Sequence, residues 1–216
     1  ESLSFTDVVE LPARRAASLS LHRSTSGMGV PVNGVIGYPS FGSTPFTLDL
    51  SHPLLVLHRR DAFETLDKPD PVPLVTFRGL PVIEATLGDP EDQRVVWLIL
   101  DSGAHNELTL PLELRRRWPG ILAVPQHGTG RTRGVGGSVA STATWVSRLN
   151  LLGESLRDVP TNFETPPAEM GRTPVPVGRV GHGLLRRFQL TFDRANGVVY
   201  PLYLPRQAGP DNGSAD

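Results

Sequence analysis

Apolar and polar positions alternate in short bursts along most of this chain, which is the period of half-buried strands and not of helices. Leu80–Leu87 and Val95–Leu100 are two strand-length runs, the first mixed and the second continuous. The segment Gly88-Asp89-Pro90-Glu91-Asp92 between them carries turn residues, so the pattern predicts a hairpin. Val95-Val96-Trp97-Leu98-Ile99-Leu100 is apolar throughout and reads as a buried strand. A short strand over Glu107–Leu110 and a helical stretch over Leu112–Trp118 follow, closed by Pro119-Gly120. Residues 1–60 predict strands at Ser4–Val9, Ala17–His22, Val35–Ile36, Pro45–Leu50 and Leu54–His58. Asp61–Pro73 is polar and proline-bearing and reads as a linker. Gln189–Asp193 and Val198–Tyr200 are further strands, and Pro205–Asp216 reads as a disordered tail. The expected class is all-β, with one or two short helices.

Composition supports this reading and removes several functions. The chain has 22 Gly and 21 Pro in 216 residues, which divides it into short elements. A net charge of −1 gives no electrostatic case for binding nucleic acid. The run Arg115-Arg116-Arg117 reads as a solvated helix face. No apolar run approaches the ~20 residues of a membrane-spanning helix. There is no cysteine, which excludes disulfides, thiol nucleophiles and thiolate metal sites but does not identify a compartment.

The chemistry concentrates at Asp101-Ser102-Gly103-Ala104, directly after the buried strand. A carboxylate at the end of such a strand must be paired, hydrogen-bonded or partly protonated. Gly103 lets the backbone turn sharply, and the Ser102 hydroxyl can donate to a neighbouring carboxylate. A pair of carboxyls sharing one proton is the arrangement that activates water against a peptide bond. Other readings have less support. The histidines form no pair at helical spacing beside a Glu, as a zinc protease requires; His105 reads as a surface or strand-end residue and His182 as structural. Ser102 does not stand in a Gly-x-Ser-x-Gly elbow. Gly128-Thr-Gly-Arg-Thr-Arg-Gly does not fit a dinucleotide fingerprint.

With the Asp101 motif stand two further segments, Gly134-Val135-Gly136-Gly137 and Val180-Gly181-His182-Gly183-Leu184-Leu185. On these three the chain resembles the retropepsin-like aspartic proteases, in their bacterial branch, from about Pro73 to Leu204. The resemblance implies a retropepsin- or pepsin-like barrel and a catalytic Asp101 held by Ser102 and Gly103. Ala104 and the flap segment Gly134, Val135, Gly136 and Gly137 would then contact substrate. Gly181, Leu184 and Leu185 would pack beneath the catalytic loop. The implied partner is a peptide or protein substrate, with neither cofactor nor metal. The alternative is a catalytically inactive relative that binds extended peptides by strand addition.

An internal repeat changes the expected organisation. Shifted by 144 positions, Gly34-Val35-Ile36-Gly37 falls on Gly178-Arg179-Val180-Gly181, and Phe41 on Leu185. Phe46-Thr47-Leu48-Asp49 falls on Leu190-Thr191-Phe192-Asp193, and Leu54-Leu55 on Val198-Val199. Residues 1–60 are therefore expected to be the C-terminal half of a first lobe, 61–73 a linker and 74–204 a complete lobe. The equivalent of Asp101 would lie upstream of Glu1. The second catalytic Asp is expected either from that missing upstream lobe or from a second chain across a two-fold axis.

Overall fold

The computed structural model describes residues 3–5, 9–11, 32–121, 128–134, 137–165 and 177–205. They form an all-β molecule with a few short helices, the class that the alternation predicts. The strands are β1 (Leu3–Phe5), β2 (Val9–Leu11), β3 (Phe46–Asp49), β4 (Leu54–Leu57), β5 (Val72–Pro73), β6 (Val75–Phe77), β7 (Leu80–Leu87) and β8 (Arg94–Asp101). They continue with β9 (Leu108–Pro111), β10 (Gly128–Gly134), β11 (Gly137–Leu151), β12 (Glu154–Glu164), β13 (Val177–Gly181), β14 (Phe188–Asp193) and β15 (Val198–Tyr203). Among the described residues no helix is long and apolar enough to cross a membrane.

One sheet of eight strands runs in the order β10-β11-β12-β9-β13-β8-β7-β6 and closes on itself where β11 pairs with β7. The closing contact pairs Leu149 with Leu87 and Asn150 with Thr86, and β10 and β6 stand at the margins of the sheet. The β7–β8 hairpin forms as expected, with Ile83 opposite Leu98 and Ala85 opposite Val96. Its inward residues Ile83, Leu87, Val96 and Leu98 are fully buried. They meet Leu108, Leu110, Val146, Leu149, Phe163 and Val180 in a single core. A second sheet, in the order β4-β3-β14-β15-β5, is antiparallel throughout and shares that core through Phe46, Phe192 and Val199.

Several elements differ from expectation. The stretch expected as one strand over Ser4–Val9 instead contributes to two strands, β1 and β2, which pair with each other. Ala17–His22 and the tail from residue 206 onward lie outside the described residues. Val35–Ile36, expected as a strand, lacks strand structure and is exposed, because no described neighbour offers it a ladder. The stretch expected as a linker carries most of a helix, Arg60–Glu64, and β5. Phe63 is 2% exposed there, under the rings of His58 and Tyr200.

The repeated segments form equivalent elements. A 3-10 turn at Tyr38–Phe41 matches a helix at His182–Leu185, and the β3–β4 hairpin matches the β14–β15 hairpin. These two hairpins also pair with each other. Thr47 lies opposite Thr191 in the β3–β14 ladder, and their hydroxyls hydrogen-bond at 2.8 Å across a sequence separation of 144. Phe46 opposite Phe192 exchanges with Leu48 opposite Leu190 under the same shift. A local two-fold axis therefore passes between Thr47 and Thr191. Phe46 stacks on Phe192 with ring centroids 4.7 Å apart and on Phe41 at 4.2 Å.

The aspartate shared by the two copies has a structural task. Asp193 is fully buried and accepts Arg60 Nη1 at 3.0 and 3.1 Å and Asn196 Nδ2 at 2.7 Å. Asp49, 5% exposed, accepts Ser51 N at 2.9 Å, Ser51 Oγ at 2.6 Å and His52 N at 3.1 Å. Burial pushes the Asp49 carboxyl upward, but the hydrogen bonds from Ser51 and His52 more than offset this and hold it at about 2, below 3.8. A depressed carboxyl stabilises the fold above its unfolded value and loses that contribution as pH falls through its folded value. The stability gap between wild type and Asp49→Asn should thus shrink as pH drops from 4 toward about 2. Urea midpoints measured across that range check this, and a gap of constant size would contradict it.

Candidate active site

Asp101 ends β8, and the chain turns at once. The Ala104 amide donates to the Asp101 carbonyl at 3.1 Å, and the Gly103 amide donates to Asp101 Oδ1 at 3.1 Å. The carboxylate is half-buried, whereas Ser102 and Gly103 are exposed. A strand end that is apolar up to Leu100 and then turns on Gly103 holds this carboxylate at the sheet margin with one face open.

The turn rests on the start of the element that follows β13. This strand runs parallel to β8, with Val180 opposite Leu100 and Gly181 opposite Asp101. The Gly181 amide donates to the Glu107 carbonyl at 2.9 Å, and the His182 amide donates to the Ala104 carbonyl at 2.7 Å. The approach is so close that a Cβ on Gly181 would strike the Asn106 carbonyl and stand 2.7 Å from that of Ala104. A Cβ on Gly183 would stand 2.6 Å from the Glu107 side chain. Leu184 and Leu185, at 0% and 1% exposure, pin this short helix into the core. The structure thus brings Asp101–Ala104 and Gly181–Leu185 together. His182 takes part through its backbone, and His105 is exposed.

The glycine-rich segment forms a hairpin, β10–β11, whose ladder runs from Gly128 opposite Ala143 to Gly134 opposite Gly137. Val135 and Gly136, expected at a flap tip, lie outside the described residues.

Three features of the site have no local signal in the sequence. Asn106 and Glu107 form the floor against which Gly181 and Gly183 pack. Glu107 also faces Arg187 at 3.7 Å, tying the loop to the end of the short helix. Finally, Leu100 and Ser102 open onto a cavity of about 210 Å³. Its walls include Phe41 with Leu185, Phe46 with Leu190 and Leu48 with Phe192, three pairs related by the repeat. The Asp101 turn therefore stands beside the local two-fold axis. Tyr38 also lines this cavity, and burial pushes its phenol above the ordinary range while Arg194 pulls the other way. The repeat in the sequence is the one signal from which this placement could have been anticipated.

The chain matches no protein-family model and no curated protein. Among solved structures it is similar to a retropepsin-like aspartic protease from Rickettsia conorii, with a TM-score of 0.41 and 15% identity. The match covers 62% of this chain and 98% of that one. At that identity and TM-score the likeness carries no weight on function, and the reading of the site rests on the chain's own geometry.

The close approach at Gly181 makes a direct prediction. Gly181→Ala should destabilise the chain by about 1–3 kcal/mol through forced backbone shifts. Gly153→Ala offers the comparison, since a Cβ there meets nothing within 4 Å and its cost is confined to a φ of +85°. Thermal unfolding of both variants checks this, and a neutral Gly181→Ala would contradict the described packing.

Proposed function

We propose that this chain belongs to an aspartic endopeptidase of the retropepsin type, with Asp101 as one of two catalytic carboxyls. The observation that carries the reading is the placement of the Asp101 turn. It sits on Gly181, beside a local two-fold axis, with its carboxylate open on one side. A two-fold axis next to a single carboxylate generates a second carboxylate facing the first.

The chemistry needs that second group. A lone carboxylate acts as base or as acid, but not as both at one moment on one face of a peptide bond. Two carboxyls about 3 Å apart cannot both ionise, so one keeps a proton while the other is charged. The charged carboxylate takes a proton from water as the water oxygen bonds to the scissile carbonyl carbon. The protonated one gives its proton to the carbonyl oxygen, so the tetrahedral centre forms neutral. One hydroxyl of that centre then gives its proton to the carboxylate that is now charged and re-forms the carbonyl, while the other carboxyl gives its proton to the nitrogen, so the C–N bond breaks, the amine leaves and the pair again shares one proton. No covalent intermediate is required.

The parts on this chain divide as follows. Asp101 supplies one carboxyl, whose Oδ1 accepts the Gly103 amide. Ser102 and Gly103 lie at the surface, where a second half would meet them. The β10–β11 hairpin fits a cover that excludes water from an extended peptide, with Gly134 and Gly137 at its closing pair.

Asp101→Asn should lower peptide cleavage by the protein as its host makes it by at least about a hundredfold, the scale of a lost general acid-base group. Its half-buried position predicts little change in unfolding midpoint, within about 0.5 kcal/mol. Unchanged cleavage in this variant would overturn the mechanism. An unsubstituted protein that holds peptides without cutting them would replace it with a peptide-binding module.

A further inference from the structure

We infer that Gly34–Gly37 and the outer edge of β4 form the seat of a second Asp-bearing half-lobe, equivalent to residues 72–111 and carried upstream on the same polypeptide. The inference rests on the two-carboxyl reading and adds to it the position and the source of the second carboxyl. Two segments related by the repeat stand in opposite environments. A Cβ on Gly178 would stand 2.7 Å from the Thr109 carbonyl, and one on Gly181 equally close to that of Ala104. The same atom on Gly34 meets nothing within 4 Å, and on Gly37 only the Pro39 ring at 3.5 Å. Gly37 has φ −85°, which any residue adopts, so the backbone at that position does not call for glycine. A closely approaching second chain segment does.

Burial repeats the contrast. Val180 is fully buried between β8 and β9, but its equivalent Ile36 is 46% exposed. Val199 is fully buried under β5, with Val72 opposite, but its equivalent Leu55 is 40% exposed on an edge that pairs with no described strand. Ile36 and Leu55 also line the cavity on the axis. Each bare surface is therefore the one that the 72–111 half-lobe covers in the other copy. The register then assigns the contacts. The incoming Asp lies opposite Gly37, as Asp101 lies opposite Gly181, and a short strand lies opposite Leu55, as Val72 lies opposite Val199.

Two arguments select the occupant. In a second copy the Asp101 turn already rests on its own Gly181, so that copy has no free half-lobe to donate. In the complete lobe the half-lobe also precedes its seat in the chain, and the repeat carries that order over to Gly34–Gly37.

The 216 residues contain no cysteine, so single substitutions report accessibility directly. Ile36→Cys in the protein as its host makes it should react with a soluble maleimide roughly tenfold or more slowly than Val95→Cys, because exchange requires the seat to open. Val95 is 52% exposed near the start of β8, and any upstream cysteine is accounted for in the unsubstituted protein. Leu55→Cys gives a second reading on the β4 edge if Ile36→Cys does not fold. Protection that is independent of protein concentration supports the inference. Labelling at the rate of Val95→Cys overturns it, as does protection that vanishes on dilution, which would make the occupant a second copy. Cleavage is not the readout. Protection without Asp101-dependent cleavage would remove the peptidase reading alone, and open labelling with such cleavage would remove only the seat.

Discussion

The rest of the molecule depends on the antiparallel pairing of β3 with β14. In that ladder each repeated segment meets its own equivalent, so the residue on the axis must be compatible with a copy of itself. Threonine satisfies this, because one hydroxyl can donate while the other accepts. The Thr47 hydroxyl lies 2.8 Å from that of Thr191 and 2.7 Å from His58 Nε2, so it has a partner on each side. β-branched side chains also suit a pleated, half-buried surface. From this one pairing follow the stacking of Phe46 on Phe192 and the cavity walled by repeat-related pairs, onto which Leu100 and Ser102 open.

Among the described residues, the Asp101 turn is held by backbone contacts. Gly181 and Gly183 admit the Asn106 and Glu107 region at distances that a Cβ would forbid. Parallel pairing of β13 to β8 then sets the height of the Asp101 turn above Leu184 and Leu185. Such a seat is rigid because its hydrogen bonds join two chain segments that the core already fixes on both sides. On the proposed two-carboxyl reading, the partner is brought to Asp101 across the axis.

Much of this was legible in the residues. Alternation gave the β7–β8 hairpin with its turn, and the apolar run ending at Leu100 put Asp101 at a strand end. The spacing of Gly34, Gly37, Thr47 and Asp49 against Gly178, Gly181, Thr191 and Asp193 disclosed the repeat. What was illegible depends on contacts remote in sequence. Parallel pairing of β13 with β8 and closure of the sheet through Leu149 opposite Leu87 leave no local pattern. The helix at Arg60–Glu64 sits in a polar stretch and forms because Phe63 finds a pocket and Arg60 reaches Asp193. Val35–Ile36 erred the other way. Its apolar pattern is that of a strand, but a strand needs a neighbour, and none is described beside it.

The central claim is that Asp101 works as half of a carboxyl pair. An experimental structure of the protein as its host makes it measures this most directly, through the separation between the Asp101 carboxyl and the nearest other carboxyl. The account predicts a second Asp across the axis, opposite Gly37, with the two groups about 3 Å apart. An Asp101 facing solvent, with no second carboxyl across the axis, would contradict it.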